Sequence, residues 1–370
     1  MQPTFVYVAC SDEGSVDVFS LDAAGKLTFV GRESGLDTVR TLAVDTLRGL
    51  LYTGHNTAVP RAGSFRIEPR TGRLSAMSAV DLPATTTYVA LAGSRLLSAS
   101  YFQGVVASAP LAYDGGLAGP ATVACAPGPF THSAEPCPDG AFVYAASLGD
   151  DKVLWFTDGP GGSLVEAGSV RTAPASGPRH LRFSASGHRV YLLAEMSGTV
   201  TVYARDEATG SLRELQSIPS VPDSLGLAAG AARTPSTPPV EEPCIWCADL
   251  RLAGDFLFTT ERESSTITTF AVDPGSGLLT YLRTTATEAQ PRGTAVDPGG
   301  SFLLVCGELS DAISVYRIDP DDGTLELTDQ ALTGAGPLWI ACRRPIQVAL
   351  VGRKSSKSGR FGPTTATQWD

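Results

Sequence analysis

The sequence predicts an all-β fold, a seven-bladed β-propeller whose last blade is closed by strands from both termini, and three observations carry that prediction. First, an acidic turn closing on Gly and Leu recurs seven times: Asp22, Gly25, Leu27; Glu68, Gly72, Leu74; Asp114, Gly116, Leu117; Asp158, Gly162, Leu164; Asp206, Gly210, Leu212; Asp273, Gly277, Leu279; and Asp319, Gly323, Leu325. Its glycines are 47, 44, 46, 48, 67 and 46 residues apart. A period of about 40 to 50 residues with several strands per unit is the mark of a propeller blade. Second, the stretches between turns alternate apolar and polar residues and are bounded by Gly, Pro and Asp, the pattern of half-buried strands. Third, the chain begins and ends out of phase, each end supplying what the other lacks.

Each unit opens with a short apolar strand and turns at a Gly or Asp cluster. It returns through a second strand, expected at 50–53, 95–99, 142–146, 189–194, 256–260 and 301–306. A third, alternating strand follows, for example at 153–156, 199–203, 266–271 and 312–317, and the segment after the acidic turn, such as 325–332, makes a fourth. At the N-terminus Phe5-Val6-Tyr7-Val8 reads as a second strand without an opening strand. At the other end the pattern Gly336-Pro337-Leu338-Trp339 opens a strand without a blade. Joining the two completes the ring and removes the exposed edges that invite aggregation.

Composition narrows the functional classes. The chain has 370 residues, 43% hydrophobic and 18% charged, and a net charge of −10, so non-specific nucleic-acid or anionic-membrane binding, which rests on basic surfaces, is not expected. No apolar run approaches a membrane span and no signal peptide is visible at the start. Seven scattered cysteines, an odd number, fit reduced thiols in the cytoplasm. Cys244 and Cys247 form a Cys-x-x-Cys pair that leads into a strand and lacks two further zinc ligands, so it reads as two incidental thiols.

The propeller domain is expected over 1–345. Residues 219–243, rich in Pro, Ser, Ala and Gly, account for the long gap and read as a surface loop inserted before the sixth unit, where it could hang over one mouth of the ring. Residues 346–370, carrying Arg353, Lys354, Lys357 and Arg360, read as a disordered basic tail.

In an antiparallel hairpin the start of one strand and the end of its partner share one end of the sheet. Arg179 and Glu195 are symmetric about the turn near Gly187, and so should face each other at one mouth of the central channel. The same construction brings His132, His180, Arg262, Arg292 and Glu308 to that mouth. Arginines among a histidine and carboxylates suit a small anionic substrate, because guanidinium groups bind carboxylate or phosphate through paired charge-assisted bonds. A Glu or His among them can move a proton.

The motifs that open the repeats, Thr131-His132-Ser133-Ala134, Gly177-Pro178-Arg179-His180, Gln290-Pro291-Arg292-Gly293 and Gly336-Pro337-Leu338-Trp339, resemble the seven-bladed lactonase family of the bacterial 6-phosphogluconolactonases. The resemblance covers 130–343, is strongest over 284–342, and is in phase though weaker over the first 120 residues. That family also contains the fungal carboxy-cis,cis-muconate cyclases, whose catalytic His, Arg, Glu and second Arg fall by spacing on His132, Arg179, Glu195 and Arg262. The resemblance implies substrate contacts from His180, Arg292, Glu308 and Trp339, and neither metal nor organic cofactor. This chain departs from the family in Glu261-Arg262-Glu263, where the bacterial lactonases have Asp-Arg, in its longer loop and in its tail.

The implied activity is hydrolysis of a sugar lactone, foremost 6-phospho-D-glucono-1,5-lactone to 6-phosphogluconate, by a cytoplasmic monomer or weak homo-oligomer. The same residues admit a muconate-type cycloisomerase, with His132 or Glu195 transferring the proton. A different class, a non-catalytic propeller that binds a protein on its rim, predicts an exposed apolar patch and no selective anion binding.

Overall fold

A computed structural model describes residues 3–234 and 242–345. The expected basic tail at 346–370 and the stretch 235–241 of the insert lie outside the described residues. Within them, 28 strands form seven four-stranded antiparallel sheets, and the only helical segments are two short 3-10 turns. The blades succeed one another along the chain, each running from an inner strand at the channel to an outer strand in solvent. The outer strands alternate between exposed and half-buried residues, whereas the second strands are almost wholly buried.

Blade 1 is the composite one. Strand Pro337–Arg343 supplies its inner position and pairs with Thr4–Cys10 in the register Phe5 with Arg343 and Val8 with Ile340. Two further bonds fasten this closure: the Gly334 amide donates to buried Asp17 (2.8 Å), and the Leu27 amide to Asp329 (2.7 Å).

The recurring acidic turn is the latch between blades. In six of the seven turns the Asp or Glu accepts nearby backbone amides, as Asp22 does from Ala24 and Lys26, while Asp158 pairs with Arg95 instead, and a glycine then takes a left-handed conformation. In six of the turns, all but that of Gly162, the glycine is the socket for the start of the preceding blade's second strand. A β-carbon on Gly72 would stand 2.4 Å from Phe5, and one on Gly25 would stand 2.6 Å from Phe302, which closes the circle. Buried tyrosines complete the latch by donating to the glycine carbonyls, Tyr7 to Gly72 (3.1 Å), Tyr144 to Gly210 (2.6 Å) and Tyr191 to Gly277 (3.0 Å). In the third unit the socket is Gly115 rather than Gly116: Gly115 has φ of 85°, accepts from Tyr52 and meets Leu50, while Gly116 is not left-handed. Spacing alone does not separate two adjacent glycines.

Blade 3 is the irregular one. Its outer strand is only Thr122–Cys125, and its inner strand Tyr88–Ala92 pairs without a register shift. The described part of the insert folds back over the channel mouth. Ala228 bridges to Cys244, the Gly230 amide donates to Met196 O (2.9 Å), and Ala232 packs with Tyr101, Phe130, Leu148 and Met196.

Candidate active site

Two sets of positions, repeated blade by blade, build the mouth. One is the residue just after each second strand: Ser11, Asn56, Tyr101, Leu148, Glu195, Arg262 and Glu308. In six blades its amide donates to the carbonyl of the residue before the inner strand, as Glu195 does to Gly177 (2.7 Å) and Glu308 to Gln290 (3.0 Å). Blade 3 substitutes a side chain, the Tyr101 amide donating to Thr87 Oγ1 (3.3 Å). The other set comes from the inner strands. Register shifts between Val39 and Thr41, Thr131 and Ser133, Pro178 and His180, and Pro291 and Gly293 leave Arg40, His132, Arg179 and Arg292 as bulged residues. Just before these strands the chain is left-handed at Thr38, Phe130, Gly177 and Gln290. A kink followed by a bulge turns a side chain that strand alternation would send elsewhere into the channel, and such strain concentrates at functional sites.

Glu195 is the hub. One oxygen, Oε2, accepts from Arg179 Nε (2.8 Å) and Arg262 Nη2 (2.9 Å), and lies 4.0 Å from His132 Nε2. All four side chains are buried, none exposing more than 4%. Burial opposes ionisation of Glu195, but Arg262 and Arg179 outweigh it and hold the carboxyl below its usual range. His132 goes the other way. Burial first, then Arg179 and His180, hold its imidazole neutral, well below the ordinary histidine range. Its Nδ1 is buried and has no hydrogen-bond partner among the described residues.

Arg262 is fixed by its surroundings: Nε donates to Trp246 O (3.0 Å), Nη2 to Cys247 O (3.1 Å), and the guanidinium lies 3.6 Å from the Trp246 ring centre. Arg233, from the insert, lies 3.7 Å from the same centre. Two guanidinium groups that close must occupy opposite faces, so the indole is sandwiched and the insert grips Arg262 through it. Arg233 is further tied to Cys244 Sγ (3.3 Å) and Glu263 (3.9 Å). Burial and the neighbouring Arg179 and Arg292 push the Arg262 pKa down to about 9, with Glu195 opposing them.

Arg292 and Glu308, expected beside this group, form the other side of the mouth. They lie 3.7 Å apart, and Gln290 donates to the same Glu308 oxygen (2.8 Å). Arg40 joins them; burial and Arg292 lower its pKa to about 10. Four guanidinium groups thus face two carboxylates, with exposed Asp12 at the edge, leaving the mouth positive.

His180 and Trp339 stand one residue deeper and form the floor. His180 Nδ1 contacts Asp249 Oδ1 (3.0 Å), Arg179 Nη1 lies over the imidazole, and His180 meets Tyr88 and Trp339 edge to face. Below it Asp249 also binds Arg251 (2.8 Å) and Thr294 Oγ1 (2.8 Å), and Arg182 lies 3.6 Å away. Arg182 and Glu135 both engage the Tyr88 hydroxyl. A cavity of about 270 Å³ opens beneath, lined in part by Tyr88, Glu135, Arg182, Arg251 and Trp339. A larger cavity, about 820 Å³, opens beside blade 2, where Ala62, Gly63 and Ser64 are small. It shares no residue with the charged mouth, and none of its lining side chains has an unpartnered buried polar atom, so size does not make it the candidate.

Sequence reasoning missed Arg40, Tyr101, Trp246 and Asp249. Arg40 and Tyr101 occupy the same repeat positions as Arg179 and Glu195, so extending the register into blades 2 and 3 would have found them. Trp246 and Asp249 are in register too, at the positions of Gly177 and His180, but the residue types at those positions do not repeat from blade to blade.

Fold and charge define the class: a propeller with a cationic, largely buried channel mouth. The family described as Lactonase, 7-bladed beta-propeller matches residues 5–342, and this chain belongs to that family. It is 29% identical to a 6-phosphogluconolactonase of Klebsiella pneumoniae over 90% of this chain and 97% of that protein. It is 30% identical to one of Sodalis glossinidius over 91% and 98%. Among solved structures, the periplasmic gluconolactonase PpgL of Pseudomonas aeruginosa matches with a TM-score of 0.79 and 29% identity, covering 93% of this chain and all of that one. No helix among the described residues is long and apolar enough to cross a membrane.

Proposed function

We propose that the chain hydrolyses a sugar δ-lactone, 6-phospho-D-glucono-1,5-lactone foremost, in the cytoplasm. The names borne by its relatives and its seven unpaired cysteines support this reading. The observation that carries it is the positive mouth around a clamped, ionised Glu195 and a neutral His132 with a free ring nitrogen. Arg179 and Arg262 polarise the lactone carbonyl and stabilise the oxyanion, while Arg292 and Arg40 attract the phosphate. His132, rather than the doubly clamped Glu195, takes the proton from the attacking water at Nδ1. The water oxygen bonds to the carbonyl carbon, the bond from that carbon to the ring oxygen breaks, and the proton held by His132 passes to that oxygen. Glu195 keeps the two guanidinium groups apart and oriented.

The test is hydrolysis above the spontaneous rate, comparing phosphorylated with unphosphorylated and six- with five-membered lactones, with carboxymuconate as a separate substrate. The phosphorylated δ-lactone is expected to be fastest. Arg179→Ala is expected to lower kcat/KM by about 10²- to 10³-fold. An unaltered rate in that variant, or carboxymuconate as the only substrate, sinks the reading.

A further inference from the structure

Two buried polar side-chain atoms at the mouth have no side-chain partner among the described residues, and they belong to neighbouring residues. One is His132 Nδ1; the other is the Tyr101 hydroxyl. Buried polar groups are paired in the great majority of cases, so an orphan needs an explanation; Ser15, Tyr203, Thr269, Arg343 and Arg344 carry orphans away from the mouth, so position has to decide which of them bind something. Tyr203 has an orphaned hydroxyl too, but it stands in the packed core between blades 4 and 5.

Three further observations separate Tyr101 from that case. It holds the blade position that carries Glu195, Arg262 and Glu308 in the blades that supply charge. Its ring meets His132 edge to face at 5.7 Å and stacks on Phe130 at 4.7 Å, which fixes its direction. Its electrostatic neighbours include the groups of the site, Glu195, Arg179 and Arg262; the Arg233 backbone amide approaches the hydroxyl oxygen as a donor and leaves the phenol proton free to donate. The insert packs against it through Ala232.

We infer that Tyr101 contacts the substrate, its hydroxyl donating a hydrogen bond to the ring oxygen of the lactone as that oxygen leaves. The inference rests on the lactonase reading above and adds a residue to it. In a cyclic ester the attacked carbon and the departing oxygen are directly bonded. The acceptor for the water's proton and the donor for the leaving oxygen must therefore be neighbours, and His132 and Tyr101 are. The arginines meet the negative charge on the carbonyl oxygen; the ring oxygen needs a hydrogen-bond donor of its own while the proton on His132 is still in transit. Burial and Glu195 raise the phenol's pKa, so it stays protonated and able to donate. Tyr101 loses no proton: the one His132 takes from water is the one the ring oxygen gains, and both residues end neutral.

The experiment is Tyr101→Phe, which keeps the ring and its stacking and removes only the orphaned oxygen. The expected result is a fall in kcat of about 10- to 100-fold with KM within about threefold, and a melting temperature close to that of wild type, because the hydroxyl's only contact in the free protein among the described residues is with the Arg233 backbone amide. Tyr203→Phe, the control, is expected to leave kcat unchanged. A Tyr101→Phe variant with wild-type kcat overturns the inference and leaves the lactonase reading standing. If the wild type accelerates no lactone, the functional reading falls. Calorimetry with D-gluconate and 6-phosphogluconate then decides Tyr101: weaker binding by the variant supports the contact, and equal or absent binding overturns it.

Discussion

At the mouth of the channel, Glu195 shares one oxygen between two guanidinium groups, and further arginines leave the region positive. At the lower end Asp249 is held by His180, Arg182 and Arg251, while Arg182 also reaches Glu135. Both ends bury carboxylates among arginines, and in both the arginines outweigh burial and keep the carboxylate ionised. They differ in what is left over. The lower cluster balances Arg182 and Arg251 against Asp249 and Glu135, and none of their side-chain atoms is a buried orphan. The upper cluster keeps excess positive charge and two orphaned atoms, on His132 and Tyr101. Perturbed ionisation alone does not mark a site, since structural networks perturb pKa values as well. Unspent charge and unpaired atoms are the better signal.

That contrast can be broken most directly at Asp249. Replacing it with alanine leaves His180, Arg182 and Arg251 without their shared partner, and a loss of about 3–5 kcal/mol in urea unfolding is expected. Ligand binding at the mouth should restore little of it. A variant as stable as wild type would show that the lower network is no structural plug.

Acidification sharpens the comparison next. His132 and His180 are both held neutral, with pKa values below those of the unfolded chain. Stability is therefore full above about pH 6.5 and declines as the pH falls, because the unfolded state takes up protons first, by about 1.4 kcal/mol per pH unit for each imidazole. Activity should stay flat from pH 8 to 6.5 and drop only below, with no inflection in the ordinary histidine range. A rate that halves near pH 6.5 would remove His132 as the proton acceptor.

The smallest effect is expected from Arg233→Ala, which strips one face of the Trp246 sandwich and loosens Arg262. A cation over an indole contributes about 0.5–2 kcal/mol, so kcat/KM should fall roughly two- to thirtyfold while Arg233→Lys retains part of it. Unchanged kinetics in the alanine variant would mean that the insert covers the mouth without gripping the site.

The blade count, the composite blade and the grouping of His132, Arg179 and Arg262 around Glu195 were legible because each follows from period: equal spacing puts equivalent residues at equivalent places on a ring. Tyr101 was equally in register but was passed over, since an aromatic residue at a strand end reads as core. The floor was not legible. His180 and Trp339 share motifs with mouth residues, and only the bulge beside each decides which residue faces up and which faces down. A one-residue insertion in a strand leaves no periodic trace.

The sequence by itself determined the ring, because the sevenfold period sets the number of blades, and six of the seven turn glycines seat a side chain of the preceding blade. Only the tertiary structure decided which charges are shared, which atoms are orphaned, and that the insert returns to clamp Trp246. Those outcomes depend on ångström distances between residues from different blades. Spacing along a chain fixes which blade a residue belongs to, whereas the energy of a buried charge depends on what stands within a few ångströms of it.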